Sequence, residues 1–239
     1  MASRNREKVQ NTVTALQNAG AAKAIGMDFD VRDAKAVKYG LESAHAEFGP
    51  IDVLVSGAAG NFPALAAEMS INAFRSVIEI DLMGTIHVMK AAYPLLARPG
   101  ASVINISAPQ AFQPSEGQAH VCAAKAGVDQ ITRTLALEWG PEGIRVNSVV
   151  PGCIEGTEGM RRLSPDDSAL DGYLNSIPIG RFGRAVDVSN VCLFLSSMLG
   201  SYVTGSVISV DGGFFLRGSG QLGLTLRDML SAPTVLKER

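Results

Sequence analysis

The chain is short of several features, and each shortage excludes a class of protein. Only 3 cysteines occur in 239 residues, Cys122, Cys153 and Cys192, far apart and odd in number. That pattern gives neither a disulfide framework nor a metal-ligand spacing, and free thiols in a reducing compartment are expected. Charge of one sign is also lacking, with 21 Lys and Arg against 23 Asp and Glu. Nothing in that balance draws the chain to nucleic acid or a membrane surface, so neither is expected as a partner, although a few local arginines suffice to hold an anionic substrate. No stretch approaches the ~20 apolar residues of a transmembrane helix. The opening "MASRNREKVQ" has no apolar run of the secretory kind, and the closing "VLKER" is not a peroxisomal Ser-Lys-Leu tail. The expectation is a cytoplasmic protein. A glycine-rich turn is missing from the first residues too, where a dinucleotide-binding half normally opens with strand, turn and helix.

What is present is apolar and alternating. Hydrophobic residues make up 46% of the chain, enough to build a packed core. Short β-branched runs at 23–27, 51–55, 102–106, 144–150 and 206–210 suit buried strands. Helical patterns fill 5–19, 33–48, 70–97, 119–140 and 186–198, with Asp33, Ser70 and Asp187 at N-cap positions. Alternation of the two predicts an α/β fold, a doubly wound parallel sheet with helices on both faces. One domain over 1–239 is expected, with a tail from 216 onward. Residues 1–4 read as the end of a strand.

Several stretches carry candidate chemistry. "VLVSGAAGNF" (Val53–Phe62) ends a strand in small residues that let a flat ring or a phosphate approach the backbone. "IEIDLMGT" sets Asp81 inside an apolar helical stretch, a costly place for a carboxylate unless it is paired. "INISAP" brings Asn105 and Ser107 to the carboxyl end of a strand, where open parallel sheets bind ligands. Lys125 lies among small neighbours in "CAAKAG", either beneath a ligand or as a snorkelling surface side chain. His120 is a candidate proton carrier, against the commoner structural or exposed histidine; His45 and His87 read as structural. "VVPGCIEGTEGMRRL" turns after a strand, exposes backbone N–H groups, and carries Arg161 and Arg162 on either a phosphate-binding or a solvated lid segment.

In order and spacing these stretches resemble the short-chain dehydrogenase/reductase family from residue 2 to about 215. "SGAAG", "DLMGT", "NIS", "AAKAGV", "RVNSVVPG" and "VTGSVISVDGG" match its signatures. The family's tyrosine four residues before the lysine is Val121 here, and the Asn of its Asn-x-x-Gly helix motif is Asp81. Those departures, with "AAGNF", a histidine five before the lysine and "GTEGMRRL", resemble the branch of peroxisomal-type 2,4-dienoyl-CoA reductases.

The resemblance implies an NADPH-dependent reduction of a 2,4-dienoyl-CoA to a 3-enoyl-CoA, within unsaturated fatty acid β-oxidation. Such a reaction protonates carbon and needs no tyrosine. It implies Asp81 in proton delivery, Lys125 on the nicotinamide ribose and Ser107 at the catalytic centre, with Asn105 bordering it. It implies Asp30 and Val31 at the adenine, Arg4 at the 2′-phosphate of NADP(H), and Ala58, Ala59, Gly60, Ile106, Pro151, Gly152, Cys153, Ile154 and Thr157 along the cofactor. Arg32, Phe62, Ser70, Asn72 and Arg162 would follow the acyl-CoA, and a homotetramer would form. The Rossmann-like sheet would lack its first strand, first helix and most of its second strand, which leaves the strand at 23–27 without a neighbour; a piece of a longer enzyme is the expectation. Another enoyl- or ketoacyl-thioester reductase of the family, and a shortened non-catalytic relative, stay open as alternatives.

Overall fold

The computed structural model of the chain describes residues 1–163 and 167–216. After Leu216 the expected tail lies outside the described residues.

Four strands form one parallel sheet, β3 (Val53–Ser56), β4 (Ser102–Ile106), β5 (Arg145–Pro151) and β6 (Val207–Val210), side by side in chain order. Val53 faces Ser102, Ser102 faces Arg145, and Ser148 faces Val207. This register brings the carboxyl ends of β4 and β5 to one edge. A separate parallel pair joins β1 (Ala2–Ser3) to β2 (Met27–Asp28). The strand expected at 23–27 is therefore shorter and later. It also has the neighbour that the sequence reading denied it, with the Met27 N–H donating to the Met1 carbonyl at 2.9 Å. Among the described residues no strand pairing bridges this pair to β3, whose Val53 and Val55 side chains remain half exposed. A cavity of about 690 Å³ fills the interval, lined by Met1–Arg4 on one side and by β3 with Gly57–Ala59 on the other.

Helices lie where apolar periodicity and caps call for them. α1 (Arg6–Asn18) starts at Asn5, whose side chain accepts the Lys8 N–H at 2.9 Å. α2 (Ala34–Phe48) starts at Asp33, which accepts the Lys35 and Ala36 N–H groups at 2.9 and 3.1 Å, as a good cap does. The helical stretch expected at 70–97 is broken into α3 (Ile71–Val77), a π-helical turn (Ile78–Met83) and α4 (Gly84–Ala92). The Gly84 N–H reaches back to the Glu79 carbonyl, five residues away. Such wide turns recur at functional sites, and Asp81 sits in this one. α5 (Ala119–Trp139) crosses behind β4 and β5. Two short helices not expected from the sequence follow β5, α6 (Glu158–Leu163) and α7 (Asp167–Ser176), so Arg161 and Arg162 fall on a helix and not on an open lid. α8 (Ala185–Ser196) begins at Arg184; Asp187, the expected cap, instead lies one turn inside and accepts the Arg184 N–H at 2.7 Å.

The main core sits between the sheet and helices α2, α4 and α5, built on Val37, Leu41, Met89, Val103, Val146 and Trp139. Phe29 and Val31 pack onto it and tie the β1–β2 pair to the rest. A second core under α8 gathers Ile104, Val149 and Leu195. A third, small one decides the question of the missing tyrosine. Val121 is buried there with Val77 and Ala124, against Phe62, Ile78 and Leu82. The position is a packing position, on the buried stripe Val121, Ala124, Val128, Thr132, Ala136 of α5. Val121→Tyr is expected to lower stability by about 1–3 kcal/mol, the usual cost of overpacking, and to confer no carbonyl-reducing activity; urea unfolding and a ketoacyl-thioester assay check both.

Candidate active site

Three elements converge at the carboxyl edge of the sheet: the end of β4, the first turns of α5 and the π-helical turn. α5 and the turn meet closely at Gly127, where an added Cβ would come within 2.9 Å of Leu82. That approach sets Asp81 beside Lys125. Lys125 Nζ donates to the Ile106 carbonyl at 3.0 Å and stands 3.5 Å from Asp81 Oδ2, too far for a good hydrogen bond but close enough for strong attraction. Both side chains are withdrawn from solvent, at 7% and 1% exposure, so the snorkelling alternative for Lys125 falls. Asp81 Oδ1 accepts the Gly60 N–H at 2.6 Å, which ties the small-residue loop after β3 to the carboxylate. Asp81 Oδ2 has no hydrogen-bond partner among the described residues.

Burial pushes the Asp81 carboxyl above the usual carboxylate range, against the opposing pull of Lys125, the Gly60 N–H and His120. A carboxyl whose proton affinity is raised by burial, next to a lysine, is suited to exchange a proton with a neighbouring atom.

Ser107 is buried as well, and its Oγ has no partner of hydrogen-bond geometry. It still lies near enough to lower the proton affinity of Asp129, a buried carboxyl one turn after Lys125 that burial raises overall. Asp129 gave no motif signal in the sequence; its burial on α5 appears only in the structure. Asn105 does not border the site. Its amide donates to Thr132 Oγ1 at 2.9 Å, and Thr132 in turn meets Ser148 Oγ at 2.9 Å, so it cross-links β4, β5 and α5 below the edge.

The residues expected along the cofactor divide into two groups. Ile106, Pro151, Gly152, Cys153, Ile154 and Thr157 lie at or just after the ends of β4 and β5. Thr157 Oγ1 donates to the Ile154 carbonyl at 2.8 Å and accepts the Met160 N–H at 3.3 Å, closing the loop and starting α6. Cys153 is buried near Asp211, and both effects push its thiol up to about 11, so it is no nucleophile. At Gly152 an added Cβ would lie 2.6 Å from Asp211 Cα. Gly152→Ala is therefore expected to lose about 1–3 kcal/mol of stability and to displace this loop, read as a lower urea midpoint.

The second group is at the opposite end. Ala58 and Ala59 line the cavity beside β3 together with Arg4 and Val31. Asp30 is gripped by Arg32, whose Nε lies 3.1 Å from each carboxylate oxygen and whose Nη2 lies 2.7 Å from Oδ2, while Arg4 stands at 3.6 Å. The Arg32 fork holds the Asp30 carboxyl down at about 2. Arg32 is thus paired with Asp30 at this corner. Val31 is anchored there by its carbonyl, which meets His87 Nδ1 at 2.9 Å.

Of the remaining candidates, Phe62 packs 4.5 Å from the His120 ring, beside the Asp81 and Lys125 site. Ser70 spends its hydroxyl as the cap of α3, accepting the Ala73 N–H at 3.1 Å. Asn72 is exposed and accepts from Arg75. The Arg162 side chain lies outside the described residues. A polar chain unforeseen in the sequence runs from Gln110 through Gln118 to Asn61, at 2.6 and 3.3 Å, and joins the start of α5 to the loop after β3.

The sequence profile of the family described as enoyl-(acyl carrier protein) reductase matches residues 1–215. A peroxisomal 2,4-dienoyl-CoA reductase [(3E)-enoyl-CoA-producing] from Danio rerio is 41% identical over 217 residues, which cover 90% of this chain and 72% of the relative. The protein of the same description from Rattus norvegicus is 42% identical, covering 94% and 77%. A probable 2,4-dienoyl-CoA reductase [(2E)-enoyl-CoA-producing] from Bacillus subtilis is 37% identical, covering 89% and 85%. Among solved structures, a putative short-chain alcohol dehydrogenase from Sinorhizobium meliloti 1021 superposes with a TM-score of 0.83 at 27% identity, covering 90% of this chain and 85% of that one.

Proposed function

Because the chain belongs to the short-chain dehydrogenase/reductase family, in the group described as enoyl-(acyl carrier protein) reductase, we propose that it is an oxidoreductase reducing a 2,4-dienoyl-CoA to a 3-enoyl-CoA with NADPH, a step in the β-oxidation of unsaturated fatty acids. The observation that carries this reading is the pair itself: a buried Asp81 faces Lys125, where the tyrosine position holds only the packed Val121. A carbonyl reductase needs a hydroxyl to protonate oxygen. A dienoyl reductase needs stabilised negative charge on the thioester and one proton for carbon.

The residues present fit a nicotinamide cofactor. At the reactive end, Lys125 and the unpartnered Ser107 hydroxyl are buried at the sheet's carboxyl edge, before the loop Pro151–Thr157. At the far end, Arg4 keeps a half-exposed guanidinium beside Asp30, a suitable donor for the 2′-phosphate of NADP(H). When bound, this cofactor supplies the hydride. The chain's own part is then electrostatic and acid–base. Lys125 holds the ribose and adds positive charge next to the dienolate that develops on the thioester. Asp81, its proton affinity raised by burial, delivers a proton toward the α-carbon and is reprotonated from solvent afterwards.

Self-association belongs to this reading. Leu193, Met198, Leu199 and Tyr202 expose a large apolar surface around α8, at 66%, 84%, 82% and 102% exposure, which a second copy of the chain would cover in a homotetramer. The test of the function is direct. Purified protein oxidises NADPH on addition of 2,4-hexadienoyl-CoA; turnover of a 3-ketoacyl thioester in its place overturns the assignment.

A further inference from the structure

Gln118 occupies the N-cap position of α5, the helix that carries Lys125, and its side chain makes no capping bond there. Asn, Asp, Ser and Thr are the types that cap a helix start, because a short side chain reaches the free N–H groups of the first turn. Gln is not among them. Gln118 is nevertheless buried, at 4% exposure, and a buried amide is costly unless both of its ends are bonded. Both are. Its Oε1 accepts from Gln110 Nε2 at 2.6 Å, and its Nε2 donates to Asn61 Oδ1 at 3.3 Å. One side chain therefore joins three segments: the turn Pro109–Ala111, the start of α5 and the loop after β3.

That loop is fastened at consecutive positions. The Gly60 N–H donates to Asp81 Oδ1 at 2.6 Å. Asn61 accepts from Gln118. Phe62 packs on the buried His120 ring, two residues beyond Gln118, at 4.5 Å between centroids. The Ala64 N–H donates to the Gly117 carbonyl at 2.9 Å. A glycine leaves its backbone free to turn, so the direction of the Gly60 N–H depends on what holds its neighbours. Asn61 is the next residue, and Gln118 holds it.

We propose that Gln118 is a positioning residue, an amide clasp that holds Asn61 and thereby aims the Gly60 N–H at the Asp81 carboxyl. Its part in turnover is indirect, through Asp81. That consequence rests on the dienoyl-CoA reading, whereas the clasp is a property of the protein alone.

Two measurements decide it. First, the Gly60 amide is followed by NMR across pH in protein labelled with ¹⁵N-glycine. Gln118→Met keeps the length of the side chain and removes both of its hydrogen bonds. In that variant the Gly60 amide proton moves upfield, as for a longer hydrogen bond. Its titration midpoint moves to higher pH, because the Gly60 N–H favours the carboxylate form of Asp81. The other titratable groups that face Asp81, Lys125 and His120, both lie on α5 and are kept in the variant. A Gly60 signal unmoved in both respects overturns the proposal. Second, kcat for reduction of 2,4-hexadienoyl-CoA by NADPH is compared in Gln118→Met, Asn61→Ala and the double variant. The expected kcat is about tenfold lower in each single variant, as for a modest misplacement of a reacting group. It is no lower in the double variant, because both substitutions cut the same bond. Effects that multiply in the double variant, or a wild-type kcat in Gln118→Met, overturn it. Should Gln118→Met not fold, Asn61→Ala removes the same bond from the loop side, and its Gly60 signal decides. A wild-type protein inert toward dienoyl-CoA sinks the functional reading, while the Gly60 titration still tests the clasp.

Discussion

Asp81→Asn lowers kcat for dienoyl-CoA reduction about a thousandfold, within the range expected for removing a positioned general acid, and leaves NADPH affinity near that of wild type. The change is isosteric, and an asparagine oxygen still accepts the Gly60 N–H that now bonds Asp81 Oδ1 at 2.6 Å. The loop after β3 and the cofactor residues on it therefore stay in place. What vanishes is the proton, because an amide cannot supply one. Stability moves the other way. Burial is the largest influence on Asp81, so replacing an ionisable group with a neutral one removes a desolvation cost, and the variant is expected to melt no lower than wild type. Stopped-flow or steady-state NADPH oxidation reads the first effect, and thermal unfolding reads the second. In wild type the acid form is the active one, so kcat falls as pH rises through the Asp81 pKa, which lies above the ordinary 3.8. Asp81→Asn removes that limb.

Lys125→Met has a comparably large effect on activity and an opposite one on stability. The ammonium is the group that compensates Asp81 at 3.5 Å and that donates to the Ile106 carbonyl. Without it the thioester charge and the ribose both lose their partner, and kcat/KM drops by about a thousandfold, as for loss of a main electrostatic contributor. A buried carboxyl is then left alone, which costs about 3–5 kcal/mol when it must ionise. The sign with pH follows from linkage. The folded state already holds the Asp81 proton more tightly than the unfolded chain, so this group makes stability fall as pH rises from the unfolded pKa to the folded one. Removing Lys125 raises the folded pKa further and extends that fall upward. The gap between wild type and Lys125→Met in urea unfolding is thus smallest at acid pH and widens as pH rises through the folded Asp81 pKa of wild type; a gap independent of pH would mean that Asp81 does not ionise in the folded protein.

Much of this was legible from the residues. Short β-branched runs gave four of the strands within a few positions, because a strand buried on both faces needs such side chains and little else. Asp33 and Ser70 announced helix starts through their own hydrogen-bonding capacity. Asp81 and Lys125 were singled out because a charge in an apolar stretch must be compensated by something. The π-helical turn was not legible: apolar residues from 70 to 97 fit an ordinary helix period, and the close approach of Leu82 to Gly127 on α5 is a tertiary feature. The ion pair of Arg32 with Asp30 was not legible for a related reason. The two-residue spacing allows a fork, but only the loop geometry after β2 closes it. Asn105 lies within β4 and Ser107 just past its end; two positions apart they would share one face of a regular strand, so the sequence marked the pair without showing that Asn105 is spent on Thr132. Val121 carried the clearest hidden signal, since its place on the buried stripe of α5 already made it a packing residue.

The central claim is that this chain moves hydride to a conjugated thioester and a proton to carbon. Reaction of the protein with NADPH and 2,4-hexadienoyl-CoA in D₂O, followed by mass spectrometry and ¹H NMR of the product, tests it most directly. The account predicts a 3-enoyl-CoA with one solvent deuterium at the α-carbon, formed far more slowly by Asp81→Asn. A product that carries its double bond at the 2-position with deuterium at the γ-carbon, or no dienoyl-CoA turnover beside rapid reduction of a 3-ketoacyl thioester, would contradict it.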